Sequence, residues 1–136
     1  MRITLGGHTF DRVCKGAVFL PPGVSLSTPA PMKNIQQCID ACLACAVACE
    51  KCSAACLNEG DVKMMAGCIA LDRDCADICF TTAALLARGS VHGEHLAKEC
   101  REVCLACAAE CEKHAAHHDH CKACAEACRK CAEACA

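Results

Sequence analysis

From residue 34 onward the chain repeats in steps of three and four, and the residue that marks the repeat is cysteine. These cysteines stand at Cys38, Cys42, Cys45, Cys49, Cys52 and Cys56, then at Cys68, Cys75 and Cys79. A third group is Cys100, Cys104, Cys107 and Cys111, and a fourth is Cys121, Cys124, Cys128, Cys131 and Cys135. Such spacing keeps side chains on one face of an α-helix, and no segment shows the period-two alternation of a strand. The intervening residues are mostly Ala, Glu, Lys and Arg, strong helix formers, as in ACLACAVACEKCSAAC and CKACAEACRKCAEAC. Four helices are therefore predicted, separated by breaks at residues 58–61, 88–93 and 115–119.

The breaks carry their own signals. Gly60 suits a left-handed cap after the first helix and Asp61 the N-cap of the second; Gly89 and Ser90 repeat that logic, and Asp119 suits the N-cap of the fourth. Helices joined by short connections run up-down-up-down, each burying its one distinctive face against its neighbours. The expected fold is all-α: an up-down-up-down four-helix bundle with a Cys-lined core over residues 34–136, preceded by a partly irregular N-terminal extension over residues 1–33. The second segment is the poorest in thiols, with Leu71 and Asp72 where the stripe would otherwise continue.

Composition sharpens this picture. A chain of 136 residues is one domain's worth. Its formal net charge of −2, with both signs interspersed, offers no basic face for nucleic acid and no polybasic stretch for anionic lipid. No apolar run reaches 18 residues, and the patch at residues 16–20, stopped by Pro21 and Pro22, is short for a secretory core. A cytoplasmic location is expected, where thiols stay reduced and dense cysteine points to metal or redox chemistry. With 19 cysteines, no Trp, no Tyr and only Phe10, Phe19 and Phe80 as aromatics, the thiols themselves must fill the core.

A core chosen for packing alone would use Leu, Ile and Val, which bury more area and do not oxidise. Disulfides along one helix are disfavoured, because Cβ atoms at i,i+3 and i,i+4 lie roughly 5 to 6 Å apart, beyond the ~3.8 Å of a disulfide. Cross-helix disulfides remain open, but the odd cysteine count weighs against full oxidation. Thiolates select Cu(I), zinc or iron–sulfur clusters. Ionising every stripe thiol would bury about eighteen negative charges, which only matching cations offset. A zinc ion on four thiolates keeps a net −2, whereas Cu(I) shared between bridging thiolates tends to one metal per cysteine and a neutral core. An i,i+4 pair brings two sulfurs to roughly 4 to 4.5 Å, suited to near-linear Cu(I); CxxxC occurs eight times and CxxC five times. The iron–sulfur motif C-x2-C-x2-C-x3-C-P, Glu-x-x-His pairs, HExxH and Gly-rich phosphate loops are absent, and no nucleophile–base pair suggests an enzyme.

In an up-down-up-down order the first and third connections lie at one end. Extending the stripes there places His114 three residues past Cys111, His118 three before Cys121, and Met64 four before Cys68, all facing the axis. Neutral imidazole and thioether ligands suit a mouth where Cu(I) enters before passing to thiolates. His117 and His120 read equally well as solvated loop residues, and His92 and His95 as surface. The opposite end gathers Phe80, Leu85, Leu86, Val91 and Leu96 as an apolar plug. Cys14 has no stripe to join and is expected to be a free thiol.

The segments CIDACLACAVACEKCSAAC, GCIALDRDCADIC, CREVCLACAAECEKH and HHDHCKACAEAC resemble the four-helix-bundle copper storage proteins of bacteria, specifically their cytosolic branch, over about residues 34–136. The resemblance implies a homotetramer, many Cu(I) ions per bundle, a preformed apo fold and entry at a His-containing mouth. The eighteen stripe cysteines match the family's ligand positions and His114 and His118 the region of its mouth; the 33-residue extension departs from the family pattern. Copper ions, supplied by a copper chaperone, would be the partners. Two other readings stay open on the residues: a zinc or general metal buffer, and a CxxC redox protein with Cys121, near a helix start, as its reactive thiol.

Overall fold

The computed structural model describes Pro22, Gly23, Met32 and residues 34–136. Most of the extension, Cys14 included, lies outside the described residues. Four helices follow: α1 (Ile35–Cys56), α2 (Ala66–Ala87), α3 (Gly93–Glu112) and α4 (Asp119–Ala134). Each packs on two neighbours, α1 on α2 and α4, α3 on α2 and α4, and the diagonal pairs stay apart. The bundle therefore encloses an axis lined by one face of every helix, as the short connections require.

All eighteen stripe cysteines face that axis and are buried, the least so being Cys135 at 4% exposure. Small residues fill the rest: Ala46, Ala76, Ala83, Ala97, Ala108, Ala125 and Ala132 are buried at the helix seams. Larger aliphatics, Ile39, Ile69, Leu71, Ile78, Val103 and Leu105, pack half-buried along the edges of this narrow core. Outside, Arg129 forms two hydrogen bonds of 2.9 Å to Glu112 across α3 and α4, and Arg73 pairs with Glu50 across α1 and α2. Exposed pairs of this kind are screened by solvent and add little to stability. Burial of the thiol-and-alanine core carries the fold.

The caps match the sequence reading at Gly89 and depart from it at the starts of α2, α3 and α4. After α2, Gly89 has φ of 67°, and the Ser90 and Gly89 amides donate to Leu85 O and Leu86 O at 2.9 and 3.1 Å, a Schellman closure that needs the left-handed residue. Gly60, by contrast, does not have positive φ. The first connection is longer than expected, because residues 62–65 form a turn and not the start of α2. Asp61 Oδ1 accepts from the Met64 amide at 3.2 Å and so caps that turn. Ser90 Oγ accepts from the His92 amide, and His92 and His118, rather than Ser90 and Asp119, occupy the N-cap positions of α3 and α4. Asn34 caps α1, its side chain accepting from the Gln37 amide at 3.0 Å.

Candidate metal centre

The stripes converge into a column of sulfur along the bundle axis. Six of the eight CxxxC pairs bring their sulfurs to 3.9–4.0 Å along one helix: Cys38/Cys42, Cys45/Cys49, Cys52/Cys56, Cys75/Cys79, Cys100/Cys104 and Cys124/Cys128. Helix docking then adds cross-links of the same length. Cys45 lies 3.6 Å from Cys128 and 3.8 Å from Cys75; Cys79 lies 3.5 Å from Cys100; Cys42 lies 3.6 Å from Cys131; Cys68 lies 3.4 Å from Cys111. Most of these sulfurs thus have partners both on their own helix and on a neighbouring one. Groups such as Cys42, Cys79, Cys100 and Cys131, or Cys49, Cys107, Cys124 and Cys128, hold all four sulfurs within 4.8 Å of one another. A donor set this continuous suits ions that share bridging ligands.

Two features interrupt the column. Asp72, fully buried on α2, takes the position a cysteine would occupy. Its Oδ1 accepts from the Cys107, Cys124 and Cys111 thiols at 3.2, 3.3 and 3.4 Å. That explains why Cys107 and Cys111, a CxxxC pair, are turned toward a carboxylate. Burial and then the neighbouring Cys124 sulfur push the Asp72 carboxyl up to about 8, so below that pH it is a neutral acid. The second interruption is at the end of α4, where Cys135 and Cys38 are joined as a disulfide with Cα atoms 5.1 Å apart. The expectation that these two are thiolate ligands is corrected for this oxidised state, since neither sulfur has a proton to lose until the bond is reduced. The other stripe cysteines are free thiols.

At the end formed by the α1–α2 and α3–α4 connections, His120 meets the column. Its Nδ1 lies 3.4 Å from both Cys52 Sγ and Cys121 Sγ and 3.9 Å from Cys56 Sγ, and the four groups form one potential metal site. On the other side of the ring, Nε2 lies 2.9 Å from Glu59 Oε1. Burial pushes the Cys56 thiol up to about 11 and raises that of Cys121 as well. These thiols stay protonated at neutral pH until an incoming cation displaces the proton. A groove lined by Ala48, Lys51 and Ala123 reaches Cys52 and His120 from the side, between α1 and α4.

A scan for known families matches residues 31–136 to the model described as "Csp: Copper storage protein". The chain belongs to the copper storage protein family. Among its relatives, the uncharacterized cysteine-rich protein YhjQ of Bacillus subtilis (strain 168) is 44% identical over 92 residues, 68% of this chain and 83% of that protein. A cytosolic copper storage protein from Streptomyces lividans, solved with five coppers, is 46% identical with a TM-score of 0.72, over 74% of this chain and 88% of that one. Cu(I)-bound BsCsp3 is 44% identical with a TM-score of 0.70, over 74% and 92% of the two chains.

Within this member of the family, the non-cysteine residues expected at the mouth are placed differently from one another. Met64 is 67% exposed in the turn before α2 and does not face the axis; Met65 is buried at 2%. The helical register that aimed Met64 inward does not extend back past Ala66. His118 is the N-cap of α4, outside the helix, and its Nδ1 lies 3.1 Å from Glu59 Oε1. His114 follows the C-cap of α3; its Nε2 is buried without a hydrogen-bond partner, 3.7 Å from Glu110 Oε1. His120, which on spacing alone reads equally well as a solvated loop residue, is the imidazole that touches sulfur. A signal for it existed: it stands four residues before Cys124, the same step that spaces the stripe. Glu59 had no such signal, lying in a connection where periodicity says nothing.

Proposed function

We propose that the reduced bundle stores Cu(I) in the cytosol, about one ion per stripe cysteine, with entry at the imidazole end. The observation that carries this reading is the network of buried sulfurs 3.4–4.0 Å apart that spans all four helices, in two parts joined through Asp72. Divalent ions on four thiolates would leave charge in a core with no buried basic side chain among the described residues. Monovalent copper replaces thiol protons one for one and leaves the column neutral. The Streptomyces lividans relative has been solved with five coppers and with 10 copper equivalents, consistent with progressive filling of such a column.

The ligands are the eighteen stripe cysteines, with Cys38 and Cys135 joining after reduction, and His120 as the imidazole of first contact. His118 and His114 lie just outside it. The role is sequestration without turnover. A copper chaperone supplies the ions, and four copies of the bundle assemble, the latter by likeness to the family. The test is anaerobic titration of fully reduced protein with Cu(I) against a chromophoric chelator. Saturation near eighteen ions per chain is expected; saturation at four or five would instead favour zinc-type sites.

A further inference from the structure

We propose that Glu59 is the positioning residue of the entry site, holding His120 in the tautomer whose Nδ1 lone pair points at Cys52, Cys56 and Cys121. The inference rests on the copper reading above and assigns a residue that the cysteine pattern does not reveal.

Glu59 stands in the α1–α2 connection, three residues past Cys56, while His120 lies in the first turn of α4. Glu59 Oε1 accepts at 2.9 Å from His120 and at 3.1 Å from His118, so one carboxylate oxygen ties two imidazoles at the start of α4 to the α1–α2 connection. An ordinary carboxylate has no proton to give at neutral pH and can only accept. His120 must therefore donate from Nε2. In the neutral ring the proton on Nε2 leaves Nδ1 as the acceptor. That lone pair faces two sulfurs at 3.4 Å and a third at 3.9 Å. Without an oxygen at Nε2, the ring is free to carry its hydrogen on Nδ1 and present N–H, not a lone pair, to the incoming cation. His118 contributes the opposite nitrogen to the same oxygen, which leaves its Nε2 directed elsewhere. Glu59 thereby makes the two imidazoles unequal: His120 serves the sulfurs and His118 does not.

Carboxylates that fix a ligating histidine this way change metal affinity 10- to 100-fold when removed. The test compares wild type, Glu59→Ala, Glu59→Gln, His120→Ala and the Glu59→Ala/His120→Ala double variant, all reduced. Long-range 1H–15N spectra of metal-free protein report the His120 tautomer, and stopped-flow transfer from a chromophoric Cu(I) chelate reports capture of the first equivalent. The expected result is an Nε2-protonated His120 in wild type and Glu59→Gln, whose amide oxygen still accepts. In Glu59→Ala the tautomers mix and first-ion capture slows about tenfold, with no further loss from that substitution in the His120→Ala background. The proposal is overturned by an unchanged tautomer in Glu59→Ala, or by Glu59→Gln capturing copper as slowly as Glu59→Ala, which would make the charge alone responsible. An equal slowing with and without His120 also overturns it. Failure of wild type to take copper at all counts against the storage reading, and the spectra of metal-free protein still decide the tautomer.

Discussion

At the end of the bundle where α1 turns into α2 and α3 into α4, the last sulfurs, Cys52, Cys56 and Cys121, touch an imidazole held by Glu59. At the other end the stripes of α2 and α3 run out of sulfur: Thr82, Ala83 and Leu86 face Gly93 and Ala97, all buried. Only α1 and α4 carry cysteine that far, and there Cys38 and Cys135 are tied together. The sequence reading named the second end as an apolar plug, and Leu86 fills that role, with Leu85, Val91 and Leu96 half-buried around it. Phe80 is 42% exposed and lies outside the plug. One helical repeat thus produces a column with polarisable, neutral donors at one end and close-packed carbon at the other. At the first end soft cations meet a neutral donor beside free thiols, and at the second they meet carbon on α2 and α3 and a disulfide between α1 and α4.

That contrast predicts an order of effects. The largest is kinetic: replacing Cys52, Cys56 and Cys121 together with Ser should slow uptake of the first Cu(I) by more than tenfold. Replacing Cys38 and Cys135 with Ser should leave that rate alone and lower capacity by about two ions, as each stripe thiol accounts for about one. Equal slowing in both variants, measured by transfer from a chelator, would remove the distinction between the ends.

Between them sits Asp72, and its effect is on the metal-free protein. Its folded value of about 8 stands above the ordinary 3.8, so between those limits the folded chain holds a proton that the unfolded chain has released. Stability contributed by the neutral acid is complete below about pH 4 and lost as pH rises toward 8, on the order of 5 kcal/mol at most. Urea unfolding of reduced apo protein across that window should show the decline, and Asp72→Asn should flatten it.

Smaller effects probe the closed end. A Cβ at Gly93 would meet Leu86 Cδ2 at 2.9 Å, so Gly93→Ala should cost about 1 to 3 kcal/mol and loosen the plug. Asn34→Ala, which removes the α1 cap beside Cys38, should cost about 1 kcal/mol. Both are read from thermal unfolding, and neither should alter the rate of copper entry at the opposite end.

Much of the molecule was legible before any coordinate. The three-and-four spacing told which face of each helix turns inward, and every stripe cysteine does so. The Gly89 closure followed from the residue that tolerates a left-handed backbone. The mouth was legible only in part. Met64 and His118 were placed by extending helical register across residues that turn out to be turn and cap, whereas His120, inside α4, obeys that register from Cys124. Asp72 was visible as a gap in the stripe, but not as an acceptor for three thiols.

The sequence by itself determined that four helices form and that their sulfurs share one interior, because periodicity is a local property that survives any arrangement of the helices. The tertiary structure decided which sulfurs meet across helices, that Cys38 reaches Cys135, that Asp72 gathers Cys107, Cys111 and Cys124, and that Glu59 selects between two histidines. Each of these depends on where one helix sits along another and on how an aperiodic connection turns, and neither quantity is written in the spacing of residues along a single segment.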